Sequence, residues 1–280
     1  METVFLAQLE KEYSELIETG KIQLFEEIKR LTSKHFSYNT PLYFLGDISS
    51  RIALITFNPK REALCPENKP ADFNAYQDKC HNTRNSLHDS VDIEGIKTFN
   101  ATDIRMLNYL KPFQIIRFES QSIQKDLQKL TNEKLELDLI PYLSPDFSEK
   151  DFMNNYLICK PLIERILSGI LAYHRQYIIF IGDCFNEILA EYIEESETFK
   201  FLLTSPNRPN QKFVAQFTRV TLNFNNRKVI AGIAESFCDE SFDDVLLEKY
   251  GQESVSIINR GFILSNPLWK SEYNINNLSV

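Results

Sequence analysis

The sequence predicts an α/β fold, a three-layer sandwich with a central, mostly parallel sheet. Three observations predict it. Short apolar runs at Ile52–Ile55, Tyr177–Ile181 and Val229–Ile233 read as buried strands. Amphipathic stretches with apolar residues at helical spacing lie between them, most clearly over residues 148–174. A helix, a strand, the turn at Gly182 and a second helix then follow in order, which is the alternation of α/β proteins.

Taken in order, residues 2–32 read as helix, because Phe5, Leu9, Leu16, Leu24, Ile28 and Leu31 recur among Glu and Lys. Residues 38–45 are expected to be extended and to break at Gly46-Asp47. The strand at 52–57 stops at Asn58-Pro59, since proline has no N–H for a ladder. Residues 60–100 are polar and read as a long loop with one helix. Helix is expected over 101–111 and 120–131, with a strand at 115–118 between them. Leu135–Ile140 alternates and meets Pro141, a second strand ending at a proline. After the strand at 177–182, a helix is expected from Cys184 to Ile193, then strand at 199–203 and a loop at 205–211 carrying Pro206 and Pro209. Strands at 213–224 and 228–233 flank Asn225-Asn226, a hairpin signal. Residues 241–250 read as helix, and the tail from 254 to 280 as irregular. Together these give one α/β domain with a helical N-terminal segment (about 1–36) and no internal repeat.

Composition narrows the function classes. The chain of 280 residues is 43% hydrophobic and 25% charged, as globular domains are. Only 8 glycines are present, with neither a Walker loop nor a GxGxxG fingerprint. The five cysteines (Cys65, Cys80, Cys159, Cys184, Cys238) show no CxxC spacing, which fits reduced thiols and a cytoplasmic location. Met1–Lys11 is amphipathic and acidic and lacks a signal-peptide pattern, and no apolar run reaches the length of a membrane span. No HExxH occurs, so no metal or other cofactor is expected; His81 and His88, seven apart in a polar stretch, are the one weak metal candidate. The net charge of −8 argues against strong nonspecific DNA binding, which needs Lys and Arg to neutralise phosphates. Local basic pairs remain at Lys60-Arg61 and Arg227-Lys228, with Arg208 and Lys212 in a further loop.

Asn58 stands just beyond the carboxyl end of a buried strand, where open α/β sheets bind ligands. Asp138 ends the second strand, Gly182 the third, and Ala234-Glu235-Ser236 follows the last. The order of these four segments resembles the uracil-DNA glycosylase superfamily over about residues 40–250. The nearest likeness is to its single-strand-selective monofunctional branch, whose first motif reads Gly-Met-Asn-Pro-Gly. Asn58-Pro59 matches that motif. The resemblance implies a uracil-DNA-glycosylase-like fold, DNA as partner through a flipped or single-stranded base, and N-glycosidic hydrolysis. It gives Asn58 the role of orienting the attacking water. Ser236 is the retained residue of a final motif that is usually His-Pro-Ser.

Residue by residue, the resemblance also implies differences. Asp138 falls where the branch has an asparagine that reads the base. Asparagine offers a donor and an acceptor to uracil; ionised aspartate only accepts. Asp138 therefore disfavours uracil and favours a base with an exocyclic amino group. The motif histidine is absent, and loss of one such donor typically costs about 10²–10³ in rate. That leaves a glycosylase with another group in its place, a weak enzyme, or a binding protein of the same fold without catalysis. Phe57, with Phe73 and Tyr76 as an aromatic floor, completes the base-binding set, and Lys60 and Arg61 are the DNA-contact candidates. Each residue also has a plainer role. Asp138 can cap a strand-end turn, Ser236 can cap the helix ahead, and Lys60-Arg61 can be a solvated pair.

Overall fold

The computed structural model describes residues 2–38, 41–57, 70–78, 91–93, 96–98, 101–119, 122–236 and 242–265. Its centre is a seven-stranded mixed sheet with strands β1 (Phe44–Gly46), β2 (Ile52–Thr56), β5 (Leu135–Asp138), β6 (Tyr177–Ile181), β7 (Ile193–Ser205), β8 (Arg208–Phe224) and β9 (Arg227–Ala234). Their order is β1-β5-β2-β6-β9-β8-β7. A separate two-stranded hairpin, β3 (Val91–Ile93) and β4 (Ile96–Thr98), stands apart from it.

Four adjacent strands, β5, β2, β6 and β9, run parallel. β1, β8 and β7 continue the sheet antiparallel at its two sides. The sheet is therefore parallel only in its centre, less than the apolar runs predict. Those runs are the central strands alone. β2 is buried on both faces from Ile52 to Ile55, as a parallel strand with helices on each side must be.

Successive side chains of a strand point to opposite faces, so the sheet divides two cores. On one face Ala53, Ile55, Ile178, Phe180 and Ile233 pack with α1 (Glu2–Thr19), α2 (Gln23–Thr32) and α7 (Tyr156–Leu171). On the other, Ile52, Leu54, Tyr177, Ile179 and Phe217 pack with α4 (Ala101–Leu110), α5 (Ile123–Glu133) and α9 (Asp244–Ser265). This is the three-layer arrangement.

Several elements differ from the sequence expectation. Residues 2–32 form two helices, because Gly20 adopts φ 75° and its N–H closes onto the Leu16 carbonyl. Residues 148–174 are also split. Ser148 starts α6 (Glu149–Asn154) with a reciprocal cap to Asp151, and α7 restarts at Tyr156 after Asn155. Residues 115–116 form a bend and 117–118 are irregular, so no strand forms there. After Gly182 the helix is one turn, α8 (Phe185–Ile188), and Ile193 already opens β7. β7 and β8 form a long ribbon that takes in both Glu194–Glu197 and the expected loop at 208–211. The first part of the expected irregular tail is helical, because α9 runs on to Ser265, and the rest of that tail lies outside the described residues. Within the loop expected at 60–100, residues 73–78 are helical (α3). The Asn225-Asn226 hairpin forms as expected, with both residues left-handed at φ 52° and 60°.

Gly46 ends β1 at φ 86°, and a methyl group there would stand 2.0 Å from the Lys134 carbonyl oxygen and 2.6 Å from that of Thr131. Both obstacles are backbone, so nothing soft can yield. Gly46→Ala should cost about 2–5 kcal/mol, the sum of left-handed strain and overpacking. Guanidinium unfolding midpoints measure it. A loss below about 0.5 kcal/mol, the range of neutral surface changes, would contradict this packing of β1.

Candidate functional site at the carboxyl edge of the sheet

Parallel pairing puts the carboxyl ends of β5, β2, β6 and β9 along one edge. Counted along the chain, these are the second, first, third and fourth parallel strands. The chain leaves β2 toward β5 on one side, whereas β6 leads to β9 on the other. Strand order reverses between β2 and β6, the place at whose carboxyl side open α/β sheets hold their ligand crevice. Phe57 follows β2 there, and Gly182 follows β6.

Asn58, Lys60 and Arg61 lie outside the described residues, as do His81 and His88. Phe57 before them is fixed. Its carbonyl accepts the Ile140 N–H at 2.9 Å, and the Thr56 carbonyl accepts that of Leu139 at 2.9 Å. The backbones of the β2 and β5 tips are thus tied for two residues past the regular pairing. Thr56 and Asp138 are register partners, and the Thr56 hydroxyl donates to Asp138 Oδ1. Asp138 is 4% exposed. Its carboxylate bridges two neighbouring strand tips at the carboxyl edge of the sheet, β5 and the β2 strand that precedes Asn58 in the chain.

The next residue is anchored too. Arg165 on α7 is buried; it donates to the Leu139 carbonyl at 3.0 Å and pairs with Glu12 of α1 at 3.1 Å. Its guanidinium lies 5.6 Å from the Tyr43 ring centre. Sequence reading passed over this pair. The signal was available: each charge stands among the apolar residues of its own helix, Glu12 beside Leu9, Tyr13 and Leu16, Arg165 beside Leu162, Ile163 and Ile166.

The aromatic residues sit deeper than a base-binding floor. Tyr76 is fully buried, accepts the Tyr43 N–H at 3.1 Å and donates to the Pro41 carbonyl at 3.0 Å. Its ring stacks on Phe73, with centres 5.7 Å apart and planes within 10°. Tyr13 covers both. Phe57 is 8% exposed and packs against Phe147 and Phe152. All three are members of the core on the α7 face.

At the β6 tip Gly182 has φ 121°, a left-handed value that glycine adopts without strain, and its N–H reaches the Ala234 carbonyl at 2.8 Å. At the β9 tip Glu235 is held from both ends. Its N–H donates to the Tyr250 hydroxyl at 2.9 Å, and its carboxylate accepts the Gln216 N–H at 2.9 Å. Ser236 beyond it is exposed. Ser236 thus shares the edge with Asp138, separated by the two strands β2 and β6.

Cys184 follows Gly182 and is half-buried. Burial, then the nearby Glu149 and Asp183 carboxylates, push its thiol up to about 12. Among the described residues no group of three His, Cys, Asp or Glu is set to hold a metal ion, and no helix is long and apolar enough to cross a membrane. A polar cleft of about 370 Å³ lies at the opposite edge, between Arg51, Gln114, Gln176 and Asn259. No protein-family model matches the sequence, and no curated protein matches it significantly.

At pH 8 a thiol of pKa about 12 is ionised to roughly one part in 10⁴. The peptide bearing Cys184 should therefore resist iodoacetamide at pH 8, as read by mass spectrometry of the native protein. Alkylation there at the rate of a free thiol would show that the carboxylates and burial do not act as described.

Proposed function

We propose that this chain is a uracil-DNA-glycosylase-like protein whose carboxyl-edge crevice takes an extruded base bearing an exocyclic amino group. One observation carries the reading. The strands on which the resemblance rests, β2, β5, β6 and β9, are far apart in sequence and yet lie side by side and parallel, so that their carboxyl tips share one edge. The Thr56–Asp138 hydrogen bond strengthens it by tying the tip that leads into Asn58 to the carboxylate expected to read the base.

The chemistry asks little of the protein in bond-making. The N-glycosidic bond breaks toward an oxocarbenium-like sugar, Asn58 orients the water that attacks it, and the base departs with negative charge. Asp138 selects the base. A carboxylate set against the uracil O4 opposes two acceptors, whereas an exocyclic amino group donates to it. An unpaired buried polar group costs about 1–3 kcal/mol, roughly ten- to a hundredfold in discrimination.

A binding protein of the same fold that does not cleave is the second reading. Its support is the last strand tip. Where the superfamily places histidine this chain has Ala234, which offers no side-chain donor, and Glu235 beside it is engaged by Gln216 and Tyr250 in the structural framework.

Base release from oligonucleotides carrying uracil, cytosine and modified cytosines tests the first reading. Asp138→Asn should shift preference toward uracil by ten- to a hundredfold; its Oδ1 keeps the Thr56 hydrogen bond, so the tip should stay folded. Asn58→Ala should abolish release and leave binding intact. Efficient uracil excision by the unaltered protein at neutral pH would remove Asp138 from its role. Binding without release from any substrate would favour the second reading.

A further inference from the structure

The β7–β8 ribbon extends past the edge on which the candidate crevice lies. β8 is antiparallel to β9, and Phe217 is the partner of Ala234, the last residue of β9. The nine residues Arg208–Gln216 therefore continue beyond the carboxyl end of β9, roughly 30 Å of strand at full extension. One face of this extension is filled. Leu203, Phe213 and Ala215 are buried against Phe242 and α9. Lys249 of α9 donates to the Thr204 carbonyl, and the Ser205 hydroxyl donates to Asp243.

The other face is open. It carries three cross-strand pairs in register, Lys200 with Gln216, Leu202 with Val214, and Thr204 with Lys212. Leu202 and Val214 are 59% and 62% exposed. Both lysines are exposed, and neither makes an ion pair with a described residue. The charges along the ribbon are segregated. Its base holds Glu194, Glu195 and Glu197, with Glu194 paired to Lys228 and Glu197 to Arg219. Residues 198–218 hold Lys200, Arg208 and Lys212 and no acidic residue, in a chain of net charge −8. Arg208 is the one of the three already engaged, over the Phe213 ring and near Asp243.

We propose that the open face of this ribbon binds the phosphate backbone of the DNA strand that enters the crevice. The proposal deepens the glycosylase-like reading and rests on it for the identity of the partner. Charge complementarity carries it, since unpaired lysines on an acidic protein are the groups that neutralise phosphates. Placement supports it. The ribbon stands beyond the edge that carries the tips of β5 and β9, with Asp138 and Ser236, and α9 braces it from behind. The Leu202–Val214 pair between the lysines gives the sugar an apolar surface to lie on.

The test is fluorescence anisotropy of a labelled oligonucleotide against the full-length protein over a range of salt. Lys200→Ala/Lys212→Ala should weaken binding about ten-fold at low salt. It should also lower the slope of log K against log salt by about 2, one per lost phosphate contact. An Arg replacement at both positions should restore both values. Both lysines are exposed, so the thermal midpoint should not move. If the unaltered protein binds DNA and the double variant keeps its affinity and slope, the ribbon is not the contact, while the reading of the crevice stands. If the unaltered protein binds no DNA, that reading falls and the ribbon proposal with it. If Leu202→Lys breaks a dimer in light scattering and leaves DNA binding unchanged, the face belongs to a second copy of the chain and the proposal is overturned.

Discussion

The parallel hydrogen bonding of β2 to both of its neighbours is the constraint on which the candidate site depends. β2 pairs with β5 through Ala53–Thr56 and with β6 through Ile52–Ile55, in the same direction on both sides. Three strands held parallel must end at one edge, and β9 joins them through β6. Because β2 is buried on both faces, a slip of one residue would exchange its two cores, so its register is fixed. That register sets Thr56 opposite Asp138. Backbone pairing thus brings Thr56 and Asp138 together.

Past the ends of the strands the ladder no longer satisfies the backbone, and buried polar groups need partners. Arg165 supplies one to the Leu139 carbonyl, and Glu12 answers its charge. A buried ion pair of this kind adds little net stability, because desolvation offsets the attraction. Removing one partner would nevertheless be costly, since the other charge would be left alone. The pair is better understood as fixing the backbone directly after Asp138 than as a source of stability. Tyr43 and Tyr142 share the region through their hydroxyls at 2.9 Å, and burial raises both phenols well above their ordinary range. They stay neutral and serve as hydrogen-bonding spacers in the first core.

The sequence made the centre of the fold legible and left the periphery obscure. β2 and β6 stand out because strands covered on both faces must be apolar throughout. Asn225-Asn226 stands out because few residues accept two successive left-handed positions. The first half of β7 gives no such signal. Glu194–Glu197 is exposed on both faces, so nothing in its polarity alternates. Pro209 reads as a loop residue, yet it lies where β8 has β7 on one side only, and an edge tolerates a missing donor. The second half of α9 was hidden by Gln252, Glu253, Ser254 and Ser256. Ser254 is nonetheless buried, its hydroxyl returned to the Tyr250 carbonyl. At the site, strand ends marked Asp138 and Gly182 correctly as edge residues. Phe73 and Tyr76 were not readable as core, because a polar loop sequence does not show that it folds back onto Tyr13.

Hydrogen–deuterium exchange of the full chain with and without a single-stranded oligonucleotide tests the central claim most directly. The account predicts added protection in peptides that span the strand tips at Phe57, Asp138–Ile140, Gly182–Cys184 and Ala234–Ser236, and none around the cleft of Arg51, Gln114 and Gln176. Protection confined to that opposite cleft, with the strand tips unchanged, would contradict it.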